Sequence, residues 1–121
     1  MIKFRSLNQN KEFLKVLKKK RISTKYFTVY FDKNPKNFKN DFNKYLNISF
    51  VMKKNVGNAV IRNKVKRKLK YAVQKISEEK ELINLNYAYV IFGKNNVYKD
   101  KFANVLSEVN ETFEKIGQIS K

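Results

Sequence analysis

The sequence predicts a single α+β domain, residues 1–121, with helices packed on a mixed sheet in the order helix, strand, strand, helix, strand, helix. Three observations carry that prediction. Two segments, "KYFTVYF" (25–31) and "YLNISFVM" (45–52), alternate apolar with other residues at the two-residue period of a strand. A third, "YAYVIFG" (87–93), is apolar at nearly every position, as in a strand covered on both faces. Apolar residues spaced by three and four mark helices before, between and after these segments. A strand–helix–strand unit of this kind buries its helix against the sheet. The chain of 121 residues suffices for one modest core, and 10 Phe with 7 Tyr supply its bulk.

In chain order, Asn8 or Asn10 caps a first helix over residues 11–20, with Phe13, Val16 and Leu17 on its apolar side. The first strand turns Phe27, Val29 and Phe31 to one face and Tyr26, Thr28 and Tyr30 to the other. "DKNPKNFKNDFNK" holds the single Pro among many Asn and Lys and reads as a surface loop. The second strand alternates Leu46, Ile48, Phe50 and Met52 against Asn47, Ser49 and Val51. In the helix that follows, Ile61, Val65, Leu69, Ala72, Val73 and Ile76 form one stripe. "SEEKELINLN" is an acidic connector to the third strand. A last helix over residues 97–116 places Tyr98, Phe102, Val105, Leu106, Val109, Phe113 and Ile116 on its apolar face, with Asp100, Glu108, Glu111 and Glu114 largely away from it.

Charge is the most informative feature. The chain carries 28 Lys or Arg against 10 Asp or Glu, a net +18. Residues 1–75 hold 22 of the cations and 3 of the acids, whereas residues 76–121 hold 6 and 7. A one-sided field of that size repels itself and is tolerated best where a polyanion neutralises it. The density peaks between Arg62 and Lys70. There Arg62, Lys66 and Lys70 form a row on one flank of the apolar stripe, and Lys64, Arg67 and Lys68 spread over the outer side. The stripe docks the helix, and the docked helix displays the cations.

Other chemistry is excluded by composition. There is no His to serve as a neutral-pH base and no Cys to serve as nucleophile, disulfide partner or thiolate ligand. The three glycines stand apart, so no phosphate-cradling loop is written in the chain. In the basic two-thirds only Glu12, Asp32 and Asp41 could contribute to a carboxylate metal site. No apolar run approaches the roughly 20 residues that span a bilayer, and the first residues lack a signal-peptide hydrophobic region. The expectation is a cytoplasmic polyanion-binding protein without an active site of its own.

The segment "KKNVGNAVIRNKVKRKLK" (53–70) resembles the signature of the bacterial ribonuclease P protein family: a Lys-Lys pair, a short turn containing Gly, Ala, a spacer, Arg-Asn-Arg, an aliphatic residue and Lys-Arg. These fall on Lys53-Lys54, Gly57, Ala59, Arg62-Asn63-Lys64, Val65 and Lys66-Arg67. The resemblance extends to "KEFLKVL" and "KYFTVYF" before the signature and to the apolar strand and amphipathic helix after it. Two departures stand out: Lys64, where the family usually has Arg, keeps the charge but loses a bidentate fork, and Leu17 replaces a common Phe.

The resemblance implies a compact α/β sandwich whose two parallel strands are joined by a left-handed crossover around the basic helix. It also implies a partner, the catalytic RNA of ribonuclease P, which removes the 5′ leader of precursor tRNA using Mg²⁺ held by the RNA. The protein is then a monomer in a 1:1 ribonucleoprotein. On this basis Lys53, Lys54, Arg62, Asn63, Lys64, Lys66, Arg67 and Lys70 contact the catalytic RNA, through charge-assisted bonds to phosphates. Asn63 has a local role open to it as well, bonding to nearby backbone. Lys68 is expected to be a solvated cation. A cleft beside the first helix receives the single-stranded leader, and its lining falls on Phe13, Leu17, Thr28, Tyr30 and Ser49. Phe13 and Leu17 read equally well as a core pair. The competing assignment is a basic ribosomal protein of similar fold with no processing role.

Overall fold

The computed structural model describes residues 3–6, 15–17, 20–33, 45–79, 83–84 and 87–119. Strands β1 (Lys3–Arg5), β2 (Lys20–Ser23), β3 (Phe27–Lys33), β4 (Tyr45–Val51) and β5 (Tyr87–Gly93) form one sheet, ordered β1-β4-β5-β3-β2. The apolar strand β5 takes the centre, and its Ala88, Tyr89, Val90 and Ile91 are all fully buried. It runs parallel to β4 and antiparallel to β3, so the sheet is mixed as expected.

Helix α1 (Ala59–Glu79) carries the chain from β4 to its parallel neighbour β5. After β5 come a short helix α2 (Asn96–Lys99) and the longer α3 (Phe102–Ile119). The stripe of α1 (Val65, Leu69, Ala72, Val73 and Ile76) packs with Val105, Val109, Phe113 and Ile116 of α3 in one core. Both helices cover the sheet face bearing Phe27, Val29, Phe31, Leu46, Ile48, Tyr89 and Ile91. Tyr89 meets Phe113 edge-on at 5.2 Å in its middle. The opposite face has a smaller apolar patch, where Val16, from a helical stretch at residues 15–17, covers Ala88 and Val90.

Several elements depart from the sequence reading. Strands β1 and β2 were not expected, and Lys20 begins β2 instead of ending a helix. Both are short edge strands, held by pairing with β4 and β3 instead of by a pattern of their own. The strand read from residue 25 begins at Phe27. Thr24 causes the delay, because its Oγ1 accepts the backbone N–H groups of Tyr26 and Phe27 and closes a tight turn. Tyr26 is therefore buried in the main core and not displayed beside Thr28. The last helix is broken at Asp100–Lys101, which leaves Tyr98 exposed instead of packed. The rest of the helix read over residues 11–20 lies outside the described residues.

The turn into α1 is built by two adjacent residues. Gly57 has φ +151°, which side chains rarely adopt, and a Cβ there would lie 2.8 Å from Ile61. Asn58 then caps the helix, its Oδ1 accepting the Ile61 N–H at 2.9 Å.

Two glycine substitutions should act in opposite directions. At Gly93 a Cβ would meet the Met52 sulfur at 2.5 Å and the buried Val65 Cγ1 at 2.9 Å. Gly93→Ala is expected to cost about 1–3 kcal/mol through overpacking. At Gly117, inside α3, an added Cβ would meet nothing within 4 Å beyond the helix's own backbone. Gly117→Ala should stabilise by up to about 1 kcal/mol. Urea unfolding of both variants checks the pair.

Candidate nucleic-acid interface

Helix α1 presents its cations as the stripe requires. Asn63, Lys64, Lys66, Arg67 and Lys70 are exposed, and Arg62 is half-buried at the edge of the core. Among the described residues none of these six is held in an ion pair, and the Arg62 Nε has no hydrogen-bond partner. Lys66 and Lys70 border a pocket of about 240 Å³ against the β1–β4 edge, together with Ser6, Ser49 and Phe50. Lys64 extends the other way, its ammonium 5.9 Å from the Tyr98 ring centre. The Asn63 side chain is exposed with those of its neighbours.

Lys68 is the exception on this helix, and the expectation of a solvated cation fails. Its ammonium donates to the backbone carbonyls of Val97, at 2.8 Å, and Asp100. Those carbonyls border the break between α2 and α3, so Lys68 fastens the break to α1. The Asp100 carboxylate is bound from the other side by the Tyr26 hydroxyl and, at 3.4 Å, by Lys25.

The second surface lies on the sheet face turned away from α1 and α3. Cross-strand pairing aligns Thr28 with Phe92 and Val51, and aligns Tyr30 with Val90 and Ser49. Tyr30 meets Phe92 edge-on at 5.6 Å. Leu17 packs beside them on the Val16 patch, as a core contact would. Ser49 shares this strand row, but it is nearly buried and also lines the pocket at Lys66 and Lys70. Phe13 lies outside the described residues. Lys53, grouped by sequence with the basic helix, instead sits 5.3 Å over the Phe92 ring. With Thr28, Phe92 and Lys94 it lines a pocket of about 330 Å³. Lys54 begins the short 3₁₀ turn Lys54–Val56 beside it and is exposed.

Sequence reasoning missed Phe92 and Lys94. Phe92 falls in a strand apolar throughout, and only its pairing with Thr28 shows which face it takes. Lys94 lies just past the strand, where its ammonium donates to Thr24 O at 2.6 Å and Ser23 Oγ at 3.1 Å.

The model of the family described as Ribonuclease P matches residues 1–117. The chain belongs to the ribonuclease P protein family. The ribonuclease P protein component of Carboxydothermus hydrogenoformans is 31% identical over 110 residues, covering 90% of this chain and 88% of that protein. That of Mesoplasma florum is 28% identical over 106 residues, covering 87% and 88%. The ribonuclease P protein from Thermotoga maritima superimposes with a TM-score of 0.70 at 22% identity, over 92% of this chain and 96% of that one. The Staphylococcus aureus protein superimposes at 0.62 and 19% identity, over 96% and 94%. These two likenesses concern the fold. Family membership sets aside the ribosomal-protein alternative and ties the chain to a bacterial ribonucleoprotein of tRNA processing. Among the described residues, no helix is long and apolar enough to cross a membrane.

The Asp100 cluster makes stability depend on pH at both extremes. The Tyr26 hydrogen bond is the main reason the Asp100 carboxyl is held below its ordinary value of 3.8, and Lys25 adds to it. A lowered carboxyl stabilises the fold above that ordinary value and loses its contribution as pH falls through the lowered one. The Tyr26 hydroxyl is pushed up to about 12, first by donating to Asp100 and then by burial. Its contribution holds below its ordinary value of 10.0 and fades as pH rises toward about 12. Asp100→Asn should therefore flatten the acid side of a stability–pH profile measured by denaturant unfolding. An acid limb identical to that of the unmodified chain would count against the coupling.

Proposed function

We propose that this chain is the protein cofactor of a ribozyme, acting as one RNA-binding domain over residues 1–121. It binds the catalytic RNA of ribonuclease P through Arg62, Asn63, Lys64, Lys66, Arg67 and Lys70, with Lys54 at the rim. It holds the 5′ leader of precursor tRNA along the face bearing Thr28, Tyr30, Leu17 and Phe92, with Lys53 above Phe92. Phe13 and Ser49 belong to the same proposed lining. Assembly is one protein to one RNA, in the cytoplasm. The bond is cut by the RNA with its own Mg²⁺, and the protein lowers the Mg²⁺ requirement by relieving phosphate repulsion.

The observation that carries this reading is the set of α1 cations left without acidic partners among the described residues, on a helix whose other side is fully buried. Such a surface gains from phosphates, where each neutralised charge releases counterions. Arg62 and Arg67 can each grip two phosphate oxygens. Tyr30 and Phe92 offer aromatic faces to unstacked bases, with the Lys53 ammonium beside them. With neither His nor Cys, the chain lacks the side chains that most often do hydrolytic work near neutral pH.

The test is reconstitution. Mixed with a bacterial ribonuclease P RNA at low Mg²⁺, the purified chain should stimulate removal of a precursor-tRNA leader. Cleavage by the protein alone would overturn the reading. Arg62→Ala with Arg67→Ala should weaken assembly with the RNA. The pair should also reduce the salt slope of log K by about 1.5, since each phosphate contact contributes roughly 0.7–0.9. Tyr30→Ala should weaken precursor binding by about 1–3 kcal/mol while RNA assembly is kept. Equal loss of both would assign Tyr30 to packing.

A further inference from the structure

Four large apolar side chains are exposed among the described residues: Val60 at 62%, Tyr71 at 58%, Tyr98 at 43% and Ile119 at 46%. Single exposed apolar residues are ordinary and need no explanation. Three of these four gather on one flank of α1, however, and neither the core nor the proposed contacts uses them. At the α-helical repeat, Val60, Lys64, Arg67 and Tyr71 turn to a common side over about 16 Å of helix. Lys66 and Lys70 lie on the other flank, toward the β1–β4 edge, and the helical repeat puts Arg62 in their row.

The flank is preformed. Tyr71 rests against Phe102 at 5.2 Å between ring centres, yet more than half of it remains in solvent. Tyr98 stands beside the Lys64 ammonium. The segment carrying Tyr98 is tied to α1 by Lys68, through the carbonyls of Val97 and Asp100. Two exposed tyrosines thus sit beside two exposed cations, Lys64 and Arg67, that have no ion-pair partner among the described residues.

We infer that this flank is a second RNA contact, where unstacked bases of the catalytic RNA lie on Tyr71 and Tyr98 while Lys64 and Arg67 take the adjoining phosphates. The inference rests on the proposed function and adds to it the chemistry of the far side of the helix. Charge complementarity selects the occupant. A ribonucleic acid brings a flat π-face and an anion in the same nucleotide, which matches alternating rings and cations. A protein partner would need its own acids spaced between apolar anchors. The contact is bounded as well, because the same flank reaches the exposed acid Glu78 two turns beyond Tyr71. The RNA then grips α1 from both sides, by phosphates alone on one flank and by stacked bases with phosphates on the other.

Binding of a bacterial ribonuclease P RNA, titrated at several salt concentrations, tests this with four double variants. Tyr71→Ala with Tyr98→Ala should weaken binding roughly 25-fold or more, about fivefold per ring at the low end of stacking energies, without changing the salt slope. Tyr71→Leu with Tyr98→Leu should weaken it similarly. Leucine keeps the apolar contact with Phe102 and so preserves folding, which a thermal melt confirms. Lys64→Ala with Arg67→Ala should flatten the salt slope. Arg62→Ala with Lys66→Ala reports on the opposite flank.

If both tyrosine pairs bind normally while the Arg62/Lys66 pair is weakened, this inference fails and the proposed function stands. If the leucine pair binds normally and only the alanine pair is weak, the rings act by bulk and the stacking assignment fails. If tyrosine replacement changes oligomeric state but not RNA affinity, the flank belongs to a protein contact. If none of the four variants weakens binding, both readings fall.

Discussion

Everything the α1 surface can do depends on one packing contact, the burial of Val65, Leu69, Ala72, Val73 and Ile76 between the sheet and α3. Each large aliphatic side chain so buried is worth about 1.5–3 kcal/mol. Like charges one turn apart, such as Arg62 with Lys66 and Lys66 with Lys70, cost only a few tenths of a kcal/mol per pair. The apolar side therefore wins by a wide margin, and the chain can hold cations together that an isolated helix would separate. The same contact denies those cations their usual relief. A docked helix cannot roll to bring them to the acids of α3, so their attraction stays directed outward.

Lys68 shows that neighbours of one residue type need not share a role. It lies only one position from Arg67, but the helical turn points it at α2, whose carbonyls at the break are short of donors. Its charge is spent on fixing the Asp100 corner, and Asp100 in turn seats Tyr26 and hence the turn into β3. Counting cations in the sequence overstates the charge available to a ligand. The break that Lys68 secures also explains why one amphipathic pattern gave two helices, since the backbone there bonds to a side chain from another element.

Much of the fold was legible because it rests on local pattern. The central place of β5 follows from its unbroken apolar run, and the α1 stripe follows from its spacing. The Asn58 cap of α1 went unread, although a glycine followed by Asn is a local pattern that marks a helix start. Strands β1 and β2 were not legible, because three or four mixed residues become strands only when β4 and β3 supply partners. Nor was the burial of Tyr26, which turns on the Thr24 side chain outcompeting the sheet for two N–H groups. At the candidate site, the α1 cations could be read from helical period alone. Lys53 could not be placed, since a residue between strand and helix has no period, and its seat over Phe92 is a tertiary fact.

Six residues, from Met52 to Gly57, separate the end of β4 from the cap of α1. Within that span lie Lys53, facing the Tyr30–Phe92 side of the sheet, and Gly57, whose backbone angle aims the helix on the other side. The short bend works like the pivot of a calliper, fixing the separation and tilt of two jaws that never touch each other. A residue at 57 that needed an ordinary φ would crowd Ile61 and re-aim α1 against the sheet, while leaving the jaw residues chemically intact. On the proposed function, such a chain would hold either RNA separately and fail to span both together.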